Sequence, residues 1–360
     1  MLVFCLGSAH AAEDPPVVAP DAEAQILRDA EALAGQSPPA PPPQPTSASA
    51  FNPALTAFGD ILTSVGVQDG AVLPGSGPWI RSLELDLRAA IDPFANAVAV
   101  LAVEQEPPLE VGPSEFGVAA EELYVDFVAL PAGFSIQAGG FRQPFGITNR
   151  AHPHDYPWPD TPLPLLELFG EEGLNEVGGV VSWRVPNPWG TGFTLQAGAN
   201  AGSRFDEAGE TALPGVIGRA EVFDRVGKLD FGIGGSATAL ADPAGTAPSG
   251  GYVAGGDLMI RYRANAWRSV VLLAEALTDG EALGAYGALQ IQPTRPLYLG
   301  ARADWLDGAW QAGGYASFFT SEFLRLRAGA RVDQDGLLVS DAQLTFVWGS
   351  HPVEPYWVNR

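Results

Sequence analysis

His152 and His154 stand two residues apart, with Asp155 beside them, in the stretch QPFGITNRAHPHDYPWPDTPLPLLELFGEEGLNE (143–176). Residues at i and i+2 of an extended chain project to one side. Imidazole and carboxylate are suitable Zn²⁺ ligands. Two histidines and one aspartate are an incomplete set, so no metal or other cofactor is assigned. The reading taken is two histidines that hydrogen-bond to hold a proline-rich loop. The same stretch carries Asp155, Asp160, Glu167, Glu171 and Glu172. Candidate opposing cations are Arg142, Arg261, Arg263, Arg302, Arg325 and Arg327, with Arg88, Arg184 and Arg331 on the same pattern. Acids facing fixed guanidinium groups across a wet gap set up a transverse field and select ions. Pro144, Pro153, Pro157, Pro159, Pro162 and Pro164 stiffen the stretch. Leu163, Leu165, Leu166, Leu168 and Phe169 are too apolar for a free tip and call for a wall or a neighbouring subunit to pack against.

The elements around this stretch have period two. In 83–88 the leucines take one face and Glu84, Asp86 and Arg88 the other. In 324–332 Arg325, Arg327 and Arg331 alternate with Leu324, Leu326, Ala328, Ala330 and Val332. Such alternation reads as β-strand. Strand patterns separated by turns run from 52–65 to 337–349, about sixteen in all, an even number as in a closed bacterial barrel. The aromatics Trp79, Trp183, Trp189, Phe223, Trp267, Trp305 and Trp348 fall near strand ends, where interfacial girdles sit. Charges recurring on the polar face of successive strands suit a wet lumen better than the core of a soluble sandwich. If the first strand runs outward, the turns on one side are all short. The other side then holds every long connection: 66–78, 106–116, 144–176, 202–213 and 241–250. That asymmetry matches short periplasmic turns and longer external loops. The loop described above becomes the third external one.

Composition agrees. The 360 residues are 46% hydrophobic and only 17% charged, with 43 Gly and 32 Pro. No apolar run reaches the roughly 18 residues of a membrane helix, which leaves a closed barrel as the way to span lipid. A formal charge of −23 excludes nucleic-acid binding through phosphate neutralisation and favours cations nearby. Neither a Walker-type phosphate loop nor a G-x-S-x-G elbow is present. With 4 histidines a Ser–His pair has almost no candidates, and no enzyme activity is expected.

Residues 1–12 read as a truncated signal peptide, with the chain's single cysteine, Cys5, inside the apolar leader. Residues 13–50 read as a periplasmic helix (21–35) and a Pro-rich linker (37–45). The barrel is expected over 51–349 and a C-terminal tail over 350–360.

Gln137-Ala138-Gly139-Gly140-Phe141-Arg142-Gln143-Pro144-Phe145-Gly146 resembles the signature of the phosphate-selective porin O and P family. Phe51-Asn52-Pro53, His152-Pro153-His154, 170–175 and His351-Pro352 resemble a related group labelled zinc-regulated TonB-dependent outer-membrane receptor. The resemblance implies an outer-membrane barrel of the general porin class. It does not carry over either substrate. Phosphate selectivity goes with clustered lysines, and Lys228 is the only one here. A TonB-dependent receptor needs a plug domain and a larger barrel.

The expectation is therefore an all-β transmembrane antiparallel barrel in the cell outer membrane. It would pass small hydrophilic or ionic solutes by passive diffusion, alone or as a homo-oligomer such as a trimer, with outer-membrane lipid as its surroundings. The competing expectation is a structural or binding barrel of an envelope assembly, its lumen plugged.

Overall fold

The computed structural model describes residues 53–105, 116–128, 130–205, 213–241 and 251–349. The leader, the helix at 21–35, the proline spacer and the C-terminal tail read from the sequence lie outside the described residues. Sixteen strands form the wall. They are β1 (Ala54–Gln68), β2 (Gly77–Asp92), β3 (Ala95–Gln105), β4 (Phe116–Phe127), β5 (Phe134–Arg142), β6 (Asn175–Arg184), β7 (Gly192–Asn200) and β8 (Gly215–Val226). Then come β9 (Leu229–Leu240), β10 (Tyr252–Arg263), β11 (Ser269–Thr278), β12 (Leu283–Thr294), β13 (Leu297–Leu306), β14 (Ala309–Ser321), β15 (Leu324–Asp333) and β16 (Leu338–Gly349). A two-residue strand, Ala71–Val72, only extends the first hairpin. Each strand pairs antiparallel with its sequence neighbour, and β1 pairs with β16 from Thr56↔Gly349 to Val67↔Leu338. The sheet is a closed barrel with no free edge.

The side-chain pattern is the reverse of a soluble protein's. On β15, Arg325 and Arg327 are 1% and 4% exposed, while Leu326 between them is 45% exposed. Across the barrel Ile233 is 56% exposed and Leu123 65%. Charges turned inward and apolar side chains turned outward fit a lipid surround. Of the aromatics, Trp189, Trp267, Trp305 and Trp348 are exposed. Phe223 is 38% exposed and shares its face of β8 with Arg219 and Glu221, so it turns to the lumen rather than outward.

The core lies inside the barrel and is supplied largely by one connection. The chain between β5 and β6 folds into the lumen. It forms one-turn helices at Thr148–Arg150 and Pro153–Asp155 and the short helix α1 (Leu163–Phe169). Phe145, Tyr156, Trp158, Leu165, Leu168 and Phe169 pack in one buried cluster with wall residues such as Val253, Leu273 and Tyr286. α1 lies against β11, β12 and β13. Its leucines thus find the barrel's own wall.

Candidate functional site

The loop is pinched shut at its base. Gln143 N donates to Leu174 O at 2.8 Å, and Asn149 Nδ2 donates to Gln143 O at 2.9 Å. Asn149 Oδ1 accepts from Leu174 N at 2.7 Å. Gly146 follows, at φ +59°, with its N–H on Ser236 Oγ at 3.1 Å. A Cβ at Gly146 would stand 2.5 Å from Glu275 Oε2, so neither the backbone nor the space admits a larger residue. Glu275 then accepts the N–H groups of Ile147 and Thr148, both at 2.7 Å. Tyr286 Oη donates to Thr148 Oγ1 at 2.6 Å, and Arg150 meets Glu221 at 3.1 Å.

The predicted arginines do not face the predicted acids across a gap. Four of them, Arg142, Arg302, Arg325 and Arg327, hold the loop's backbone. Arg325 donates to His154 O and to Thr345 Oγ1. Arg327 donates to Trp158 O and Gln343 Oε1, both at 2.8 Å, to Ser317 Oγ at 3.0 Å, and to Tyr156 O. Arg302 holds Asp160 through its backbone O at 2.8 Å and its carboxylate at 2.7 Å, and lies 5.1 Å over the Trp158 ring. Arg142 donates to Glu172 O at 2.7 Å and stands 3.7 Å from its carboxylate. The physical reason is the loop's composition. A proline-rich segment cannot pair its own carbonyls, and buried carbonyls need donors. A guanidinium offers five donors in a fixed fork and satisfies several at once. Arg261 and Arg263 are elsewhere, joining Arg225 on Asp230.

Of the acids, Asp160 is the one embedded in charge, between Arg302 and Arg331 (3.5 Å). Burial pushes its carboxyl up, and the two arginines more than offset this, so it is held below the ordinary 3.8. The ion pair therefore contributes fully at neutral pH and is lost as pH falls through the lowered value. We expect Asp160→Asn to unfold at a lower temperature than the parent at pH 7. That gap should close only below about pH 4; heat-dependent gel mobility across pH measures it. Glu167 and Glu171 are exposed, Glu172 is more than half exposed, and Asp155 lies 3.4 Å from His154 Nε2.

The histidines meet acids that the sequence reading did not single out. His154 Nδ1 lies 2.9 Å from Glu84 Oε1 on β2, and its ring lies against Phe58 on β1 at 4.9 Å. His152 Nδ1 lies 2.9 Å from Glu121 Oε2 on β4, short of hydrogen-bond alignment, and 3.8 Å from Glu84 Oε2. His152 Nε2 lies 3.7 Å from Glu122 Oε2. Burial and Arg142 both push the His152 imidazole down, yet Glu121, Glu122 and Glu84 outweigh them and raise it to about 10. Burial likewise opposes a charge on His154, and Glu84 and Asp155 raise it. The only local hint was alternation, which put Glu84 on the same strand face as Asp86 and Arg88.

The loop leans to one side. Lumen-facing side chains on β11 to β16 and β1 are buried, from Val271 and Gln290 through Ser317 and Thr345 to Asp60. On β4 to β7 the lumen face stays partly open at Tyr124, Asp126, Gln137, Ser182 and Gln196. A polar strip of wall is thus left beside the loop.

No family model matches the chain. An uncharacterized protein of Aquifex aeolicus (strain VF5) is 36% identical over 124 residues, which are 34% of this chain and 24% of that protein's length. The match thus spans about a quarter of that relative. Among solved structures, Pseudomonas putida OprB at high pH is 11% identical over 82% of this chain and 94% of its own, with a TM-score of 0.55. Salmonella typhi OmpF in complex with daunomycin is 10% identical over 82% of this chain and 97% of its own, also at 0.55. Both are outer-membrane porins, and the likeness is one of fold. The chain carries the closed 16-strand barrel of Gram-negative outer-membrane proteins.

Proposed function

We propose that this barrel is a porin-like channel for passive diffusion of small hydrophilic or ionic solutes, cations in preference, through a lumen narrowed by the loop at 143–174. The observation that carries the reading is the polar strip on β4 to β7 that the loop leaves partly open. Selectivity follows from which charges remain free. Arg302, Arg325 and Arg327 are buried against the loop. The exposed charges of the loop are the carboxylates Glu167, Glu171 and Glu172. An acidic lining of this kind attracts cations and repels anions. In this reading Asp155 and Asp160 shape the constriction, with Asp160 locked in place by Arg302. Phosphate as the solute finds no support, because no cluster of free cations faces the strip among the described residues.

The proposed organisation keeps residues 1–12 as a leader and 13–50 as a periplasmic arm ahead of the barrel. A homo-oligomer such as a trimer in outer-membrane lipid completes it. A second reading, a plugged barrel within an envelope assembly, is favoured by the reach of the loop's contacts, from Phe58 on β1 to Arg327 on β15. Planar bilayers decide between them. Purified protein should give discrete conductance steps and a reversal potential of cationic sign under a salt gradient. Glu171→Gln with Glu172→Gln should move that potential toward zero. Absence of current from folded protein would sink the channel and leave the plugged reading.

A further inference from the structure

We propose that Glu84, His152 and His154, with Glu121 as a fourth ligand, form a binding site for one divalent transition-metal cation of the zinc type. One ligand atom from each of Glu84, His152 and His154 already lies within 4.8 Å of the others. Metal–ligand bonds of about 2.0–2.2 Å place neighbouring ligands of a tetrahedral site roughly 3.3 Å apart. These three draw in by at most about 1.5 Å to reach that spacing. The two imidazole rings lie 5.5 Å apart, and the Nδ1 of each faces the Glu84 carboxylate, at 2.9 Å for His154 and 3.8 Å for His152.

Two further observations point to a ligand. Glu121 Oε2 and His152 Nδ1 are both buried and lack an aligned hydrogen-bond partner, and they stand 2.9 Å apart. The Glu121 side chain is only 5% exposed. Neither atom has its hydrogen bond, and one cation bound by both would satisfy them together. The surroundings also have the form that metal-bound histidines require. If each ring ligates through Nδ1, its Nε2 is left for an outer carboxylate. His154 Nε2 has Asp155 at 3.4 Å, and His152 Nε2 has Glu122 at 3.7 Å. Such carboxylates orient the ring and raise its basicity. Glu84 is fixed in turn by Ser82 Oγ at 3.0 Å, and Glu122 by Arg142 N at 3.2 Å.

The donor set selects the metal. Imidazole nitrogen favours Zn²⁺, Ni²⁺, Cu²⁺ or Co²⁺ over Mg²⁺ and Ca²⁺, which prefer all-oxygen sites. Asp155, which the sequence places beside the histidines, takes the outer position, and Glu84 from β2 takes the inner one. The metal would join the loop, through His152 and His154, to the wall, through Glu84 and Glu121. It would staple the loop at the point where it crosses to β2 and β4.

The test uses the purified full chain stripped with EDTA. Titration with Co²⁺ should develop the visible absorption of a four-coordinate site at one equivalent, and Zn²⁺ should abolish it. Zn²⁺ should also raise the temperature of the heat-dependent gel shift, and Mg²⁺ should not. His152→Gln with His154→Gln should remove the Co²⁺ spectrum. Glu122→Gln should weaken binding by about tenfold or more while leaving the spectrum's form. A featureless Co²⁺ titration of the unmodified protein overturns the proposal, whether or not the variants fold. So does Zn²⁺ binding that is unchanged in the double variant. Both outcomes are independent of conductance, so the site can fail while the channel stands, and the reverse.

Discussion

Arg327→Ala is expected to unfasten the middle of the loop, lower the temperature of the heat-dependent gel shift and enlarge the conductance. Arg327 is 4% exposed and supplies donors to Tyr156 O, Trp158 O, Ser317 Oγ and Gln343 Oε1. Truncation leaves two loop carbonyls and two wall acceptors without their donor in a buried place. Each buried polar group left unpaired costs about 1–3 kcal/mol, and water entering the hole recovers part of it. A net loss of about 4 kcal/mol is expected. Lysine should not rescue it, because a single ammonium on a flexible stem cannot span carbonyls two residues apart. Arg331→Ala, which touches the loop only through Asp160 at 3.5 Å, should cost far less. Equal behaviour of Arg327→Ala and the parent in gel shift and single-channel current would refute the clamp.

Trp158→Ala is expected to have a comparable effect by a different route. The side chain is 2% exposed and fully enclosed. Its ring lies under the Arg302 guanidinium at 5.1 Å, edge-on to Tyr286 at 6.2 Å and tilted to Tyr156 at 6.1 Å. Removing a buried tryptophan costs about 3–5 kcal/mol through lost burial and the cavity left behind. Here the cavity would join an existing void of about 20 Å³ lined by Asp160, Arg302, Gln311, Tyr315 and Arg331. That void has room for about one water. The enlarged space is polar on one side and would fill with water. The variant should therefore show a lower gel-shift temperature and noisier, larger currents. Trp158→Phe should keep most of the packing and fall between the two. If Trp158→Ala matches the parent in both measurements, the loop is not held by this core.

The barrel was legible because lipid and lumen impose opposite chemistry on alternate residues. Leu324 to Val332 alternates without a slip, and the strand there runs Leu324–Asp333. The loop was legible for the same reason in reverse, as the long gap in that alternation between Arg142 and Val177. Its apolar run 163–169 called for a wall, and α1 has one in β11 to β13. The partners of the loop were not legible. Glu84 sits on a strand whose own pattern explains its inward charge, whereas Glu121 and Glu122 are neighbours buried together at a register shift of β4 that alternation does not foretell, and nothing local marks them for His152 and His154. The contacts of the arginines were not legible either. Charge counting pairs guanidinium with carboxylate, whereas a proline-rich loop in a buried place asks for donors to its carbonyls. Arg302 meets Asp160 and Arg142 meets Glu172. Arg325 and Arg327 serve backbone oxygens instead.

The long reach of those contacts has a consequence for assembly. Arg325 and Arg327 lie 171 residues beyond the carbonyls of His154 and Tyr156 that they hold. The wall also closes last in sequence terms, when β16 meets β1. The loop therefore emerges long before the strands that will dock it. Contacts of such high sequence separation form slowly. Until β10 to β12 supply Val253, Leu273 and Tyr286, Trp158, Leu165 and Phe169 offer a sticky apolar surface. The arginine clamp is a late event of biogenesis, and a chain stalled before β15 would have the wall for its core but not the donors for the loop's carbonyls. The same long-range arginines that narrow the lumen thus report that the barrel has been completed.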